Sequence, residues 1–293
     1  MTKCEIIDTF PAFLAYWTKA QNKPLDAQVE TWAADYMSQW PELLEKQLDD
    51  YASQDEDWRQ IARERVFPFL NDRLPAMKAA HENLLQVCAP IYSAAQEALG
   101  FESDVVFVIY IGIGCGAGWV TRFHDSPAVL FGLENVAECG WSQPPAITGL
   151  VAHEIGHLVH EHWRAQHGQA EGSGPWWQLY CEGFAQRCEH VILGRDTWHI
   201  RGGNYGDDWL DWCQEQKSWL AAEFLRLVDE RQSIRPFFGS WFEIRGRRQC
   251  GYFLGHELVR QLETSMSLKE IALLDDKDAR LRRELERLAE RCA

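Results

Sequence analysis

The stretch His153-Glu154-Ile155-Gly156-His157 has the form H-E-x-x-H and lies within an apolar segment with helical character. Residues four apart share a helix face, so the imidazole nitrogens of His153 and His157 can converge on one metal ion. Glu154 lies about 100° further around the helix, where its carboxylate can take a proton from a water molecule without binding the ion. Zinc suits these residues because it binds nitrogen and carboxylate ligands and keeps an open position in catalytic sites. The motif therefore predicts a zinc site with Glu154 as general base.

Apolar residues surround this motif and favour a buried helix. They are Leu150, Val151, Ile155, Leu158, Val159 and Trp163. Pro144 and Pro145 precede them, and Thr148 can cap the helix. The alternative is a surface helix on which two histidines stand four residues apart by chance. A buried imidazole needs a polar partner, and a metal ion is a good one, so the context favours the metal site.

A catalytic zinc site needs a third protein ligand. The metzincin pattern would place glycine at position 160 and histidine at position 163, where this chain has His160 and Trp163. The better candidate is Glu182, in a second, strongly aromatic segment that predicts a helix ending at Gly194. Glu189 stands seven residues later on the same helix face, where a carboxylate can orient a ligand histidine. The alternative for Glu189 is a solvated charge.

The motif, followed by E-G-F-A-x-x-x-E from Glu182 to Glu189, resembles the gluzincin arrangement of metallopeptidases. Aminopeptidase N-like enzymes share this arrangement, as do bacterial families of predicted zinc-dependent proteases, which the chain resembles more closely. The resemblance covers roughly residues 105 to 260. It implies that His153, His157 and Glu182 bind zinc and that Glu154 is the general base.

A later segment, G-Y-F-L-G-H-E at residues 251–257, resembles the region in which such enzymes carry a tyrosine or histidine. That residue stabilises the tetrahedral intermediate of peptide hydrolysis. Tyr252 is the first candidate for this role and His256 the second, because either side chain can donate a hydrogen bond to a developing oxyanion. Each can instead be an ordinary residue of a helix.

A strand and a glycine-rich run precede the motif helix. Residues 105–111 are β-branched and aromatic and predict a strand, and residues 112–118 contain four glycines. A dinucleotide site would need a helix directly after these glycines, but residues 119–127 show no helical stripe. A hairpin or bulged turn leading to a strand at residues 128–131 is the better interpretation. A peptide substrate can bind beside such a sheet by strand addition.

Composition limits the classes of partner. Of the 293 residues, 46% are hydrophobic, which is enough for a substantial core. A net charge of −15 argues against a nucleic-acid partner, because phosphate binding needs a basic surface. The nine cysteines form no C-x-x-C pair, which indicates reduced thiols and a cytoplasmic protein. No signal-peptide pattern or membrane-spanning apolar run is visible, so no membrane partner is predicted.

The predicted fold class is α+β and mainly helical. Residues 1–100 form a helical N-terminal region, in which Trp32, Tyr36 and Trp40 recur at helical spacing. Residues 101–293 form a zincin-like catalytic domain with C-terminal helices and a small sheet beside the motif helix. The sequence gives no indication of the oligomeric state.

The predicted function is a zinc-dependent peptidase that hydrolyses bonds in a peptide or protein substrate with a water molecule activated by Glu154. One alternative is a non-catalytic zinc-binding protein or a latent peptidase. A fourth protein ligand would mark it, and His160, three residues after His157, is the candidate. The other alternative is a nucleotide-binding module that uses the glycine run.

Overall fold

The computed structural model describes residues 2–275 and 277–290. The chain is mainly helical and contains a four-stranded mixed sheet, which confirms the predicted α+β class. Within the described residues, the helices are all too short or too polar to cross a membrane.

The chain divides into two compact units, each assembled from separate segments. The first unit comprises Met1–Tyr92 and Glu102–Val151, and the second comprises Ser93–Phe101 and Ala152–Ala293. The segment Glu102–Val151 packs with the N-terminal residues.

The sheet lies in the first unit. Its strands are β1 (Cys4–Asp8), β2 (Val105–Tyr110), β3 (Trp119–Phe123) and β4 (Ser126–Gly132), in the spatial order β1-β2-β4-β3. β2 runs parallel to both of its neighbours, and β3 is an antiparallel edge strand. All six residues of β2 are buried, as its continuous apolar sequence predicts for a central parallel strand. β1 adds a strand to residues 1–100, which were predicted as a helical N-terminal region.

The first unit also contains most of the N-terminal helices. They are α1 (Phe10–Ala20), α2 (Leu25–Thr31), α3 (Pro41–Ser53), α4 (Trp58–Ile61), α5 (Leu70–Leu99, whose last turns belong to the second unit) and α6 (Leu133–Cys139). Short π-helical segments cover Trp32–Tyr36 and Ala62–Val66. Trp32 and Tyr36 are both fully buried, as their helical spacing suggests. The indole of Trp32 donates to the carbonyl oxygen of Ile111 over 3.0 Å, which fixes the chain where β2 ends.

The glycine run forms a loop between β2 and β3. The buried carboxylate of Glu134 accepts hydrogen bonds from the backbone N–H groups of Gly112 (2.8 Å) and Gly114 (3.2 Å). The hydroxyl of Tyr51 donates to the carbonyl oxygen of Ile113 over 2.8 Å. The loop therefore continues into a strand, as the sequence predicts, and not into the helix that a dinucleotide site requires.

Helices build the second unit. They are the larger part of α7 (Pro144–Gln166), α8 (Pro175–Leu193), α9 (Trp209–Glu215), α10 (Lys217–Asp229), α11 (Cys250–Glu263), α12 (Leu268–Ala272) and α13 (Lys277–Glu290). Short 3₁₀ segments cover His199–Gly202 and Arg235–Phe237. Gly194 ends α8 in the left-handed conformation (φ 64°), at the position predicted from the sequence.

Three helices of the second unit approach one another at glycines. A Cβ atom added to Gly156 of α7 would lie 2.8 Å from the Cβ of Cys188 and 2.9 Å from the Cα of Ala185, both on α8. A Cβ atom added to Gly183 of α8 would overlap the carbonyl group of Gly255 on α11. Backbones in such contact leave no room for a methyl group, so the glycines fix how closely α8 packs against α7 and α11.

The change Gly183→Ala tests this packing. We expect it to lower the free energy of unfolding by roughly 2–3 kcal/mol, because the new methyl group forces α8 and α11 apart. Urea denaturation followed by far-UV circular dichroism measures the loss. The control is Gln178→Ala at an exposed position of α8, which should change stability by less than about 0.5 kcal/mol. Equal stabilities of the two variants would contradict the proposed close packing.

Candidate metal centre

Three side chains predicted as metal ligands lie together in the second unit. His153 and His157 project from α7, with ring centroids 5.0 Å apart, and Glu182 projects from α8. The Oε2 atom of Glu182 lies 3.1 Å from Nε2 of His153 and 3.5 Å from Nε2 of His157. The ligand atoms of the three residues all lie within 4.8 Å of one another.

These distances fit a tetrahedral zinc ion. Nitrogen and oxygen ligands bind zinc at about 2.0–2.2 Å, so two ligand atoms at a tetrahedral angle lie roughly 3.4 Å apart. The measured separations of 3.1 and 3.5 Å bracket that value. Two imidazoles and one carboxylate also make a donor set that leaves the fourth zinc position open. The residues present therefore fit the metal that the motif implies.

Burial and mutual contacts shift the pKa of each of the three candidate ligands. Burial opposes the charge on Glu182, but hydrogen bonds with His153 and His157 outweigh burial and hold the pKa of this carboxyl well below its usual range. Burial also opposes the charge on His157, yet the contact with Glu182 raises the pKa of His157 to about 9. For His153, burial dominates and lowers the pKa to about 3.

Glu154 stands beside the ligand cluster without belonging to it. The side chain is buried, and burial raises the pKa of its carboxyl to about 7, while attraction to His157 and His199 acts in the opposite direction. No group of metal-capable side chains within the described residues includes Glu154. This placement, beside the candidate ligands but outside their group, is the one predicted for a general base.

The two candidates for oxyanion stabilisation occupy different surroundings. The ring centroid of Tyr252 lies 5.4 Å from that of His153, and the Tyr252 side chain is half-buried. His256, one turn further along α11, packs against His190 (4.9 Å) and Trp198 (4.7 Å). The geometry therefore brings Tyr252 to the ligand cluster and gives His256 a different set of neighbours.

Glu189 is fully buried, which rules out the interpretation as a solvated charge. Its partner is His199, whose backbone N–H donates to Oε1 of Glu189 over 3.1 Å and whose Nδ1 lies 2.8 Å from Oε2. The side chain of Gln186 donates to the same Oε2 over 2.9 Å. Glu189 therefore binds a histidine, as the sequence suggested, but that histidine is not one of the predicted ligands.

His199 is a site residue that the sequence analysis missed. Its ring centroid lies 4.9 Å from that of His153, as close as the ring of His157, and 6.1 Å from that of Tyr252. Together with His153 and Glu189 it forms a second group whose ligand atoms lie within 4.8 Å of one another. A single histidine in a 3₁₀ segment carries no motif, and the burial of Glu189, which calls for a polar partner, is visible only in the structure.

His160, the candidate fourth ligand, lies in other surroundings. Its Nε2 atom is 2.9 Å from the hydroxyl of Tyr180, which donates in turn to the carbonyl oxygen of Ile271 over 3.1 Å. His160 is in neither of the two metal-capable groups.

Comparison with known proteins gives no relative. No protein-family model, curated protein or solved structure matches this chain. The interpretation of the site therefore depends on its own residues and their geometry.

Zinc binding can be tested by removing single ligands. We expect the wild-type chain to bind about one zinc ion tightly, measured by elemental analysis after dialysis and by competition with a chromogenic chelator. Loss of an outer-shell partner alone costs about 10–100-fold in metal affinity, so Glu182→Ala and His157→Ala should each cost more than about 100-fold. His167→Ala, at an exposed histidine just beyond α7, is the control. Wild-type affinity in Glu182→Ala would disprove the ligand assignment.

Proposed function

We propose that this protein is a zinc-dependent peptidase of the gluzincin type, with a zincin-like architecture. The observation that carries the proposal is the cluster of His153, His157 and Glu182 at tetrahedral separations, with the buried carboxylate of Glu154 beside it. Metal-binding proteins without catalysis do not need a buried carboxylate next to an open zinc position, whereas hydrolysis does.

Zinc bound by the three ligands would act as a Lewis acid that polarises the scissile carbonyl and makes water easier to deprotonate. Glu154 accepts a proton from the attacking water as its oxygen bonds to the carbonyl carbon. The same carboxyl then delivers that proton to the leaving nitrogen as the C–N bond breaks. The proton therefore passes from water to the leaving amine, and Glu154 returns to its starting state.

Tyr252 supplies the hydrogen bond to the oxyanion in this proposal. A phenol hydroxyl donates well to developing negative charge, and its ring lies next to the ring of the ligand His153. His256 is the weaker candidate because its ring neighbours are His190 and Trp198.

The proposed substrate is a peptide or protein, and the proposed location is the cytoplasm. The eight cysteines within the described residues are all free thiols, which suits a reducing compartment. The net charge of −15 disfavours nucleic acid as a partner.

Glu154→Gln separates binding from catalysis. We expect this variant to keep stoichiometric zinc and to lose all measurable turnover, because an amide cannot accept the proton of the attacking water. The measurement is mass spectrometry of a peptide library incubated with each zinc-loaded protein. Glu171→Gln, the same change at an exposed position, should cleave like the wild type. Full activity in Glu154→Gln would refute the base assignment, and no cleavage by the zinc-loaded wild type would refute the peptidase.

Tyr252→Phe and His256→Gln distinguish the two oxyanion candidates. Removal of one oxyanion donor lowers kcat by about 10²–10³-fold in known enzymes, and we expect a loss of this size for Tyr252→Phe with zinc content unchanged. His256→Gln should retain kcat within about threefold, with any loss appearing in thermal stability. Steady-state kinetics on one peptide from the library decides between them. The reverse order of effects would move the role to His256.

A further inference from the structure

Tyr252, the proposed oxyanion donor, stands in the first turn of α11, and the residue before this helix has an unusual conformation. Gln249 lies in the left-handed region (φ 60°, ψ 23°), which residues with a Cβ atom adopt at an energetic cost. Its side chain is polar, yet only 4% of the residue is exposed. Such backbone conformations persist only where the surrounding structure imposes them, and they cluster at functional sites.

Gln249 does not act as residues at the start of a helix ordinarily do. The side chain at this position usually accepts a hydrogen bond from a backbone N–H group of the first turn, and its backbone is extended. The amide of Gln249 makes no such bond with α11. Its Oε1 atom accepts instead from the backbone N–H of Gly239 over 3.2 Å, ten residues earlier in the chain. Initiation of the helix therefore does not explain this residue.

Contacts on both sides fix the chain around Gln249. Before it, the indole of the buried Trp209 donates to the carbonyl oxygen of Arg248 over 2.8 Å. After it, the backbone N–H of Tyr252 donates to the carbonyl oxygen of Gln249 over 3.2 Å. One residue therefore holds the loop at Gly239 through its side chain and the turn of Tyr252 through its backbone.

The loop that Gln249 holds also contacts the turn of Tyr252 directly. Phe238 of this loop is buried, and a Cβ atom added to Gly251 would overlap its ring. The ring centroid of Phe238 lies 6.3 Å from that of Tyr252, within the range of an aromatic pair. The ring of Tyr252 therefore packs against this loop as well as against His153 (5.4 Å).

We propose that Gln249 is a positioning residue for Tyr252. Its amide holds Phe238 and Gly239 against the first turn of α11, and these contacts keep the phenol ring in the orientation from which it donates to the oxyanion. The inference rests on the proposed peptidase function, because an oxyanion donor is effective when it is held in place before the reaction. A misplacement of about 1 Å can cost about 100-fold in rate, so a residue one contact away from the donor affects turnover.

The experiment combines Gln249→Gly with Tyr252→Phe. Glycine adopts the left-handed conformation readily, so the first change removes the amide without forcing the backbone to move. The matched control is Arg231→Gly, at an exposed residue that follows α10 and is also left-handed (φ 54°). Steady-state kinetics on one peptide from the cleavage library are measured for the wild type, each single variant and the double variant.

We expect Gln249→Gly to lower kcat by roughly 10-fold, with KM and zinc content within about twofold of the wild type. In the Tyr252→Phe background the same change should cost less than about twofold, because the hydroxyl that it positions is already absent. A purely structural role would give equal losses in both backgrounds. Arg231→Gly should match the wild type.

A second readout does not depend on turnover. The eight tyrosines are labelled as 3-fluorotyrosine, and the signal missing from the fluorine NMR spectrum of Tyr252→Phe identifies position 252. We expect Gln249→Gly to shift or broaden this signal, because the ring can then change orientation, and Arg231→Gly to leave it unchanged. Phe238→Leu, which loosens the same contact, should act in the same direction and keeps the proposal testable if Gln249→Gly does not fold.

Four results would overturn the assignment while leaving the peptidase intact. They are wild-type kcat in a folded Gln249→Gly, equal losses with and without the hydroxyl of Tyr252, an unchanged fluorine signal at position 252, and loss of zinc, which would make Gln249 a support of the metal ligands. If the zinc-loaded wild type cuts no peptide, the peptidase proposal fails and the oxyanion role fails with it. The fluorine signal then still decides whether Gln249 holds the ring of Tyr252.

Discussion

The second unit depends on a backbone contact that side chains would prevent. Gly156 lets α8 approach α7, and Gly183 meets Gly255 where α8 and α11 cross. Two of these glycines lie inside the signature segments themselves, one between the histidines of the motif and one directly after Glu182. The candidate site residues and the residues that set the helix spacing are thus interleaved on the same turns. Across this contact, the Oε2 atom of Glu182 on α8 lies 3.1 and 3.5 Å from the two imidazole nitrogens of α7.

Hydrogen bonds within the folded chain hold the polar groups of the site in place before any ligand binds. An isolated buried charge would cost far more than a folded domain can supply, and Glu182 and Glu189 each meet several donors. Glu182 faces two imidazoles, and Glu189 accepts from three N–H groups. These bonds exist in the folded chain without a ligand, and such preorganisation is what the proposed peptidase would need.

Features that depend on neighbouring residues could be predicted from the sequence, whereas contacts between separate elements could not. The motif, Glu182 and the end of α8 at Gly194 could be predicted because each depends on helical spacing or on a stop signal within a few residues. The strand Cys4–Asp8 was missed because it is short and its partner lies a hundred positions away. His199 was missed because its partner, Glu189, lies ten residues earlier in a different element, outside any helical or strand pattern. Burial of a glutamate, which only the packing reveals, makes the two into a pair.

The pairing of β1 with β2 has a consequence for how the chain is made. Cys4 pairs with Val105, so the first strand leaves the ribosome long before its partner exists. At about 5–20 residues per second, the interval is roughly 5–20 s. During that time β1 exposes unpaired backbone groups, and the parallel sheet cannot begin to close around β2. Nascent chains of this protein therefore pass through a stage in which the backbone groups of β1 have no strand to pair with.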